Sequence, residues 1–176
     1  ALEECHRLGS PEALSVFVEE LLNLHRGQGQ DIVWRDTQKV PSEKEYYSMV
    51  LDKTGGLFRL AVGLMAAFSE RDKSEFRELV DQLALYFQIR DDLVNLKSDE
   101  YALSKSYCED LTEGKFSYPI LHAIRARPDD TRLLNILKQK TENIDVKKHA
   151  VEFMESVGSF EKTRAALAAI KGDIAS

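Results

Sequence analysis

Leu83-Ala84-Leu85-Tyr86-Phe87-Gln88-Ile89-Arg90-Asp91-Asp92-Leu93-Val94-Asn95 decides how the rest of this chain is read. The stretch reads as a helix that is apolar almost all the way round, so it is expected to be buried. Two adjacent carboxylates interrupt it, flanked by Gln88 and Asn95. Residues three and four apart are neighbours on a helix, so 88, 91, 92 and 95 share a face. At about 1.5 Å of rise per residue, Asp91 to Asn95 spans roughly 6 Å. Buried carboxylates side by side repel each other and lose hydration unless cations neutralise them. Magnesium would do so, since it takes one or two carboxylates together with water and phosphate oxygens. Salt bridges, to Arg90 or another basic residue, would do so equally well. The pattern alone leaves both open.

Working outward, helical signals dominate. Ser10-Pro11 is a cap followed by a first-turn proline, and Leu14, Phe17, Val18, Leu21, Leu22 and His25 follow at helical spacing. Gly27 and Gly29 are expected to close that helix, with a loop through Trp34, Arg35 and Asp36 to Pro41. Ser42-Glu43-Lys44-Glu45 is a capping box for the next helix, whose apolar spacing continues to Phe68. The Gly55-Gly56 pair within it costs helix stability, which predicts a close approach or a bend there. A third long helix is expected over 73–96, then a polar loop and shorter helices near 118–125, 130–141, 145–156 and 160–170. Residues 1–9 read as the tail of a preceding element. Nothing alternates with a period of two, so the fold class is all-α.

Composition narrows the function. The chain has 176 residues, 43 % hydrophobic and 31 % charged, an ordinary balance for one globular domain. A net charge of −6 argues against a dedicated nucleic-acid binder. The longest apolar run, Leu60 to Phe68, is far short of a bilayer span. Ala1-Leu2-Glu3-Glu4 is acidic, unlike the basic start of a secretory leader. Cys5 and Cys108 have no metal or redox spacing and suit a reducing compartment, so a cytoplasmic location is expected.

Four small clusters accompany the Asp91–Asp92 pair. They are Gln28, Asp31 and Arg35; Lys53 and Thr54; Lys105; and Glu109, Asp110, Glu113 and Lys115. Lysines close to two metal-binding carboxylates would complete a diphosphate site. Each cluster alone is more often a solvated surface group, and Glu113-Gly114-Lys115 lacks the setting of a P-loop. His6, His25, His122 and His149 have no mutual spacing that suggests a metal site or a nucleophile–base pair and read as structural, as Trp34 reads as packing.

The order of the clusters carries more than any one of them. Gly27-Gln28-Gly29-Gln30-Asp31, then Lys53-Thr54-Gly55-Gly56, then Phe87-Gln88-Ile89-Arg90-Asp91-Asp92, then Glu109-Asp110-Leu111-Thr112-Glu113-Gly114-Lys115-Phe116-Ser117 resembles the trans-prenyl diphosphate synthases. Within them it is most similar to the eukaryotic geranylgeranyl diphosphate synthases, and the resemblance includes Asp31-Ile32-Val33-Trp34-Arg35-Asp36 and Gly158-Ser159-Phe160-Glu161. The resemblance implies an isoprenoid synthase-type helical bundle around a deep cavity, with two Asp-rich motifs holding Mg2+ on an allylic diphosphate. Asp91 and Asp92 match the metal-binding carboxylates of the second motif, and Asn95 stands where many relatives have a third Asp. Lys53, Thr54, Gln88 and Lys105 are then the expected catalytic residues. Lys53, Lys105 and Lys115 would grip the diphosphate, and Thr54 and Gln88 would orient it or steady the carbocation. Gln28 and Asp31 would lie beneath the site, with Asn95 as a weaker ligand or support.

The implied reaction joins an allylic diphosphate, farnesyl diphosphate being the expected one, to isopentenyl diphosphate and yields geranylgeranyl diphosphate. The resemblance also implies a homo-oligomer, a dimer or higher. Nothing here matches the first Asp-rich motif of that family, so residues 1–176 read as the C-terminal portion of a single synthase domain, with apolar helix faces left exposed. The competing expectation is a non-catalytic binding or regulatory subunit of a heteromeric synthase. A terpene cyclase is a more distant third.

Overall fold

In a computed structural model, which describes residues 1–70, 72–97 and 107–175, the chain is helical and holds no strand among the described residues. A short helix α1 (Leu2–Arg7) precedes the long α2 (Pro11–Thr37). Two shorter helices follow, α3 (Glu43–Lys53) and α4 (Gly55–Ala66), joined at Thr54. A 3-10 turn over Lys73–Phe76 leads into α5 (Arg77–Lys97). Then come α6 (Glu109–Glu113), α7 (Tyr118–Ala126), α8 (Arg132–Gln139), α9 (Ile144–Ser156) and α10 (Ser159–Ala175).

Local chemistry explains most boundaries. Ser10 Oγ accepts the amide of Ala13, with Pro11 in the first turn of α2. The capping box at α3 is fully formed: Glu45 N donates to Ser42 Oγ at 3.0 Å, and Ser42 N donates to Glu45 Oε2 at 2.6 Å. Asn143 caps α9 through the amides of Asp145 and Val146. Gly114 ends α6 at φ 69, the left-handed region that favours glycine.

Four expectations change. The second helix does not stop at Gly27 and Gly29 but runs on to Thr37, so Trp34 is helical and buried instead of sitting in a loop. Gly27 packs against the end of α3, so its missing side chain serves a helix crossing and not a terminus. The last helix runs past residue 170 to Ala175. The helix expected over 130–141 is trimmed to Arg132–Gln139, because Asp130 accepts the Arg132 amide just ahead of its first turn. Finally, α5 is not buried all round: Leu83, Phe87 and Asp91 are exposed.

The main core gathers Tyr46 and Val50 of α3, Ile89 and Leu96 of α5, Leu111 and Phe116, Ile120 of α7, Leu137 of α8, Met154 of α9 and Phe160 of α10. Helix α2 packs on α3 and α4, and α5 packs on α4 and α10. The close approach expected at the glycine pair is present, since a Cβ on Gly56 would meet Leu24 Cγ at 3.0 Å. The ends of α2 and α3, the second half of α5 and the α6–α7 segment thereby converge on one region. Exposed apolar side chains include Leu57, Met65, Phe68 and Phe87. No helix among the described residues is long and apolar enough to cross a membrane.

Candidate active site

Asp92 is the centre of this region. It is wholly buried, and its carboxylate accepts four hydrogen bonds from as many residues. Oδ2 takes the Tyr46 hydroxyl at 2.6 Å and the Tyr118 amide at 2.8 Å. Oδ1 takes Gln88 Nε2 at 3.0 Å and Lys115 Nζ at 2.8 Å. A carboxylate can be buried at this depth because charged and neutral donors fill its lone pairs.

Lys115 bridges outward from Asp92 to Asp110, whose Oδ1 lies 3.1 Å from Nζ. Burial opposes the lysine charge, but the two aspartates outweigh it and hold the ammonium protonated well above the ordinary lysine range. Asp110 feels the opposite balance. Burial pushes its carboxyl up to about 7, only partly relieved by Lys115, and its Oδ2 carries no hydrogen bond. Asn95 Oδ1 accepts the Asp110 amide at 3.1 Å, so the side chain expected as a weak ligand holds the start of α6. Tyr46 is likewise driven far above the ordinary phenol range, first by burial and then by Asp92, and stays a donor.

The same network reaches α3 through Thr54, whose hydroxyl donates to Gln88 Oε1 at 2.7 Å. That bond fixes the amide of Gln88, leaving its nitrogen for Asp92. Next to Thr54 in the chain, Lys53 Nζ lies 2.8 Å from Asp31 Oδ2, which Arg35 also grips at 2.7 Å. Arg35 continues to Glu113 Oε2 at 2.7 Å, tying α2 to α6. Burial alone would raise the Asp31 pKa, yet the hydrogen bonds and charges of Arg35 and Lys53 bring it below the ordinary carboxylate value. The Lys53 side chain is 27 % exposed against 3 % for Asp31, so a part-exposed lysine is tied to a buried carboxylate.

Seven of the expected site residues are therefore drawn into two hydrogen-bonded groups: Lys53 with Asp31, and Thr54, Gln88, Asp92, Asn95 and Lys115. Asp91 stands beside them, exposed and without a hydrogen bond or ion pair among the described residues, so its carboxylate is free. Gln28 is exposed and joins neither group. Lys105 lies outside the described residues. Sequence reasoning missed Tyr46 and the Tyr118 amide. A tyrosine in an apolar stripe carries one usable signal, that a buried hydroxyl requires a partner; a backbone amide carries none.

The donor set suits a divalent cation only in part. Asp91 offers one free carboxylate, while Asp92 would reach a metal only by releasing one of its four donors. No cluster of three or more metal-ligating side chains occurs among the described residues. Magnesium takes one or two carboxylates and completes its shell with phosphate oxygens and water, so Asp91 is the residue present that would hold it.

The chain matches the polyprenyl synthetase family over residues 1–154. It is 54 % identical over 173 residues to a geranylgeranyl pyrophosphate synthase of Dictyostelium discoideum, covering 98 % of this chain and 57 % of that protein. It is 55 % identical over 168 residues to a terpene synthase of Matsumurasca onukii, covering 96 % and 55 %. A geranylgeranyl pyrophosphate synthase of Fusarium fujikuroi is 52 % identical over 171 residues, covering 97 % and 41 %. The chain spans about half the length of the curated relatives it matches.

Proposed function

The chain belongs to the polyprenyl synthetase family, and on that premise we propose that it is the C-terminal portion of a prenyltransferase that joins farnesyl diphosphate to isopentenyl diphosphate and forms geranylgeranyl diphosphate. The observation that carries this reading is the Thr54–Gln88–Asp92–Lys115 chain, flanked by the part-exposed Lys53 and the free carboxylate of Asp91. Two relatives named geranylgeranyl pyrophosphate synthases support it.

In this reading Lys53 binds the allylic diphosphate with the N–H donors that Asp31 leaves free. Thr54 and Gln88 orient the leaving oxygen. Asp91 would hold magnesium, with Asp92 able to join it only by releasing one of its donors, and the ion when bound would supply neutralisation of diphosphate oxygens. The cleavage places negative charge on diphosphate and positive charge on the allylic carbon. Donors fixed in advance stabilise that charge at no cost in reorganisation. The double bond of isopentenyl diphosphate then attacks, and loss of a proton restores an alkene. No side-chain nucleophile is needed. Lys105 would add to the grip on the diphosphate, as the family resemblance implies, while Lys115 acts through the Asp92 and Asp110 carboxylates it bridges. The reading extends to a cytoplasmic homo-oligomer, supported by two free thiols and by the exposed apolar side chains.

The test is product analysis in the complete protein with farnesyl diphosphate, isopentenyl diphosphate and magnesium. A C20 diphosphate is expected, with a loss of about a hundredfold or more in Asp91→Ala, the size seen when a charge-stabilising group is removed. A second reading, terpene synthase chemistry, is favoured by the Matsumurasca onukii relative. It would give a hydrocarbon from the allylic diphosphate without consuming isopentenyl diphosphate. No product of either kind would leave a non-catalytic subunit.

A further inference from the structure

The Asp92 carboxylate takes donors from several elements, and one side chain among them, that of Tyr46, has no role in the chemistry proposed above. Gln88 donates from the helix that Asp92 itself occupies, while Lys115 and the Tyr118 amide come from the segment after α6. Tyr46 alone reaches Asp92 from α3. It is fully buried, with its ring centroid 5.6 Å from that of Tyr118 and 6.0 Å from that of Tyr47.

Helix α3 ends at Lys53, seven positions beyond Tyr46 and so on the same face, roughly 10 Å along the axis. Two side-chain rungs join α3 to α5: Tyr46 to Asp92 and Thr54 to Gln88. The order of the partners shows that the two helices run in opposite directions. Two rungs fix both the sliding and the splay of the pair, whereas one leaves a pivot.

We infer that Tyr46 is a positioning residue: its hydroxyl locks α3 to α5 through Asp92, so that the Lys53 ammonium and the Asp91 carboxylate meet one diphosphate at a fixed separation. The inference rests on the prenyltransferase reading. The bond is charge-assisted and fully desolvated, the class in which one hydroxyl matters most. Its removal leaves Asp92 with its other donors and the ring packing intact, so the fold survives while the α3 end gains freedom. Misplacement on the ångström scale is enough to lower turnover strongly.

The experiment compares Tyr46→Phe with Tyr47→Phe in the complete protein. Tyr47 is a fair control, since its hydroxyl donates to Glu43 at 2.9 Å and not to Asp92. Prenyl transfer is measured against magnesium concentration, beside thermal melting. Tyr46→Phe is expected to lower kcat about tenfold, the factor for losing one of the weaker hydrogen bonds to a charged group, and to raise the magnesium half-saturation severalfold. Tyr47→Phe keeps both. A purely structural role would lower the melting temperature and leave the half-saturation where it was, which would overturn the proposal. An Asp92→Asn background supplies a second measurement: the effect of Tyr46→Phe must shrink there, and full additivity would also overturn it. A wild-type protein without prenyl transfer defeats the underlying reading; an active wild type matched by Tyr46→Phe defeats the positioning role alone.

Discussion

A Cβ on Gly27 would stand 2.4 Å from the backbone nitrogen of Lys53, so α2 crosses the end of α3 backbone against backbone. The crossing brings Asp31, one turn further along α2, within 2.8 Å of the Lys53 ammonium. The glycine therefore acts on the site through the main chain that carries the lysine.

Gly27→Ala must push the two helices apart. Overpacking of this kind costs about 1–3 kcal/mol, and under the proposed function the displaced Lys53 should weaken binding of an allylic diphosphate. Gly29 has nothing within 4 Å of a Cβ and lies on the exposed side of the same helix. Gly29→Ala should therefore stabilise by up to about 1 kcal/mol from helix propensity. Thermal melts of the pair check both signs, and a Gly27→Ala protein that melts like wild type would show that the crossing has slack.

This pair of glycines also marks the limit of what the sequence discloses. The caps at Ser10 and Ser42 were legible because their chemistry is local: donor and acceptor lie three residues apart. Gly27 was misread as a stop because the reason for it sits on another helix. The polar members of the site stood out in sequence, since Gln88, Asp92 and Lys115 are costly to bury without purpose. Tyr46 did not stand out, because its ring satisfies the apolar pattern of α3 and its partner is 46 positions away. The asymmetry of the acidic pair was equally hidden. Adjacent helical residues point about 100° apart, and only the packing of α3 and α7 against α5 decided that Asp92 is enclosed and Asp91 exposed.

Asp31 should give the protein an acid-sensitive component of stability. Its native carboxyl titrates below the ordinary 3.8, so as the pH falls the unfolded chain takes up the proton first. The stabilisation is whole above about pH 4 and disappears as pH drops through the lowered native value. Asp31→Asn should lower the melting temperature at pH 6 and converge on wild type towards pH 2. Parallel melting curves across that range would mean that the Arg35 and Lys53 contacts add nothing to folding.

The buried ion pair on the other side of the bundle makes the opposite kind of prediction, one about specificity of packing and not about charge for its own sake. Arg59 Nε lies 2.9 Å and 3.0 Å from the two oxygens of Glu20, and Nη1 lies 2.9 Å from Asp81, beside a cavity of about 190 Å³ lined in part by Val16, Val62 and Val80. Removing one member leaves a buried guanidinium short of its partner, and losses of about 3–5 kcal/mol follow when such pairs are broken. Glu20→Leu should fall in that range by urea unfolding. Asp81 keeps Arg77 at 2.9 Å, so deleting both charges strands nothing there. The double variant with Arg59→Met should recover most of the loss, because a well-packed apolar pair replaces a buried ion pair at little cost. A double variant as unstable as the single one would mean that Arg59 is held for its reach to Asp81 and not for its bond to Glu20.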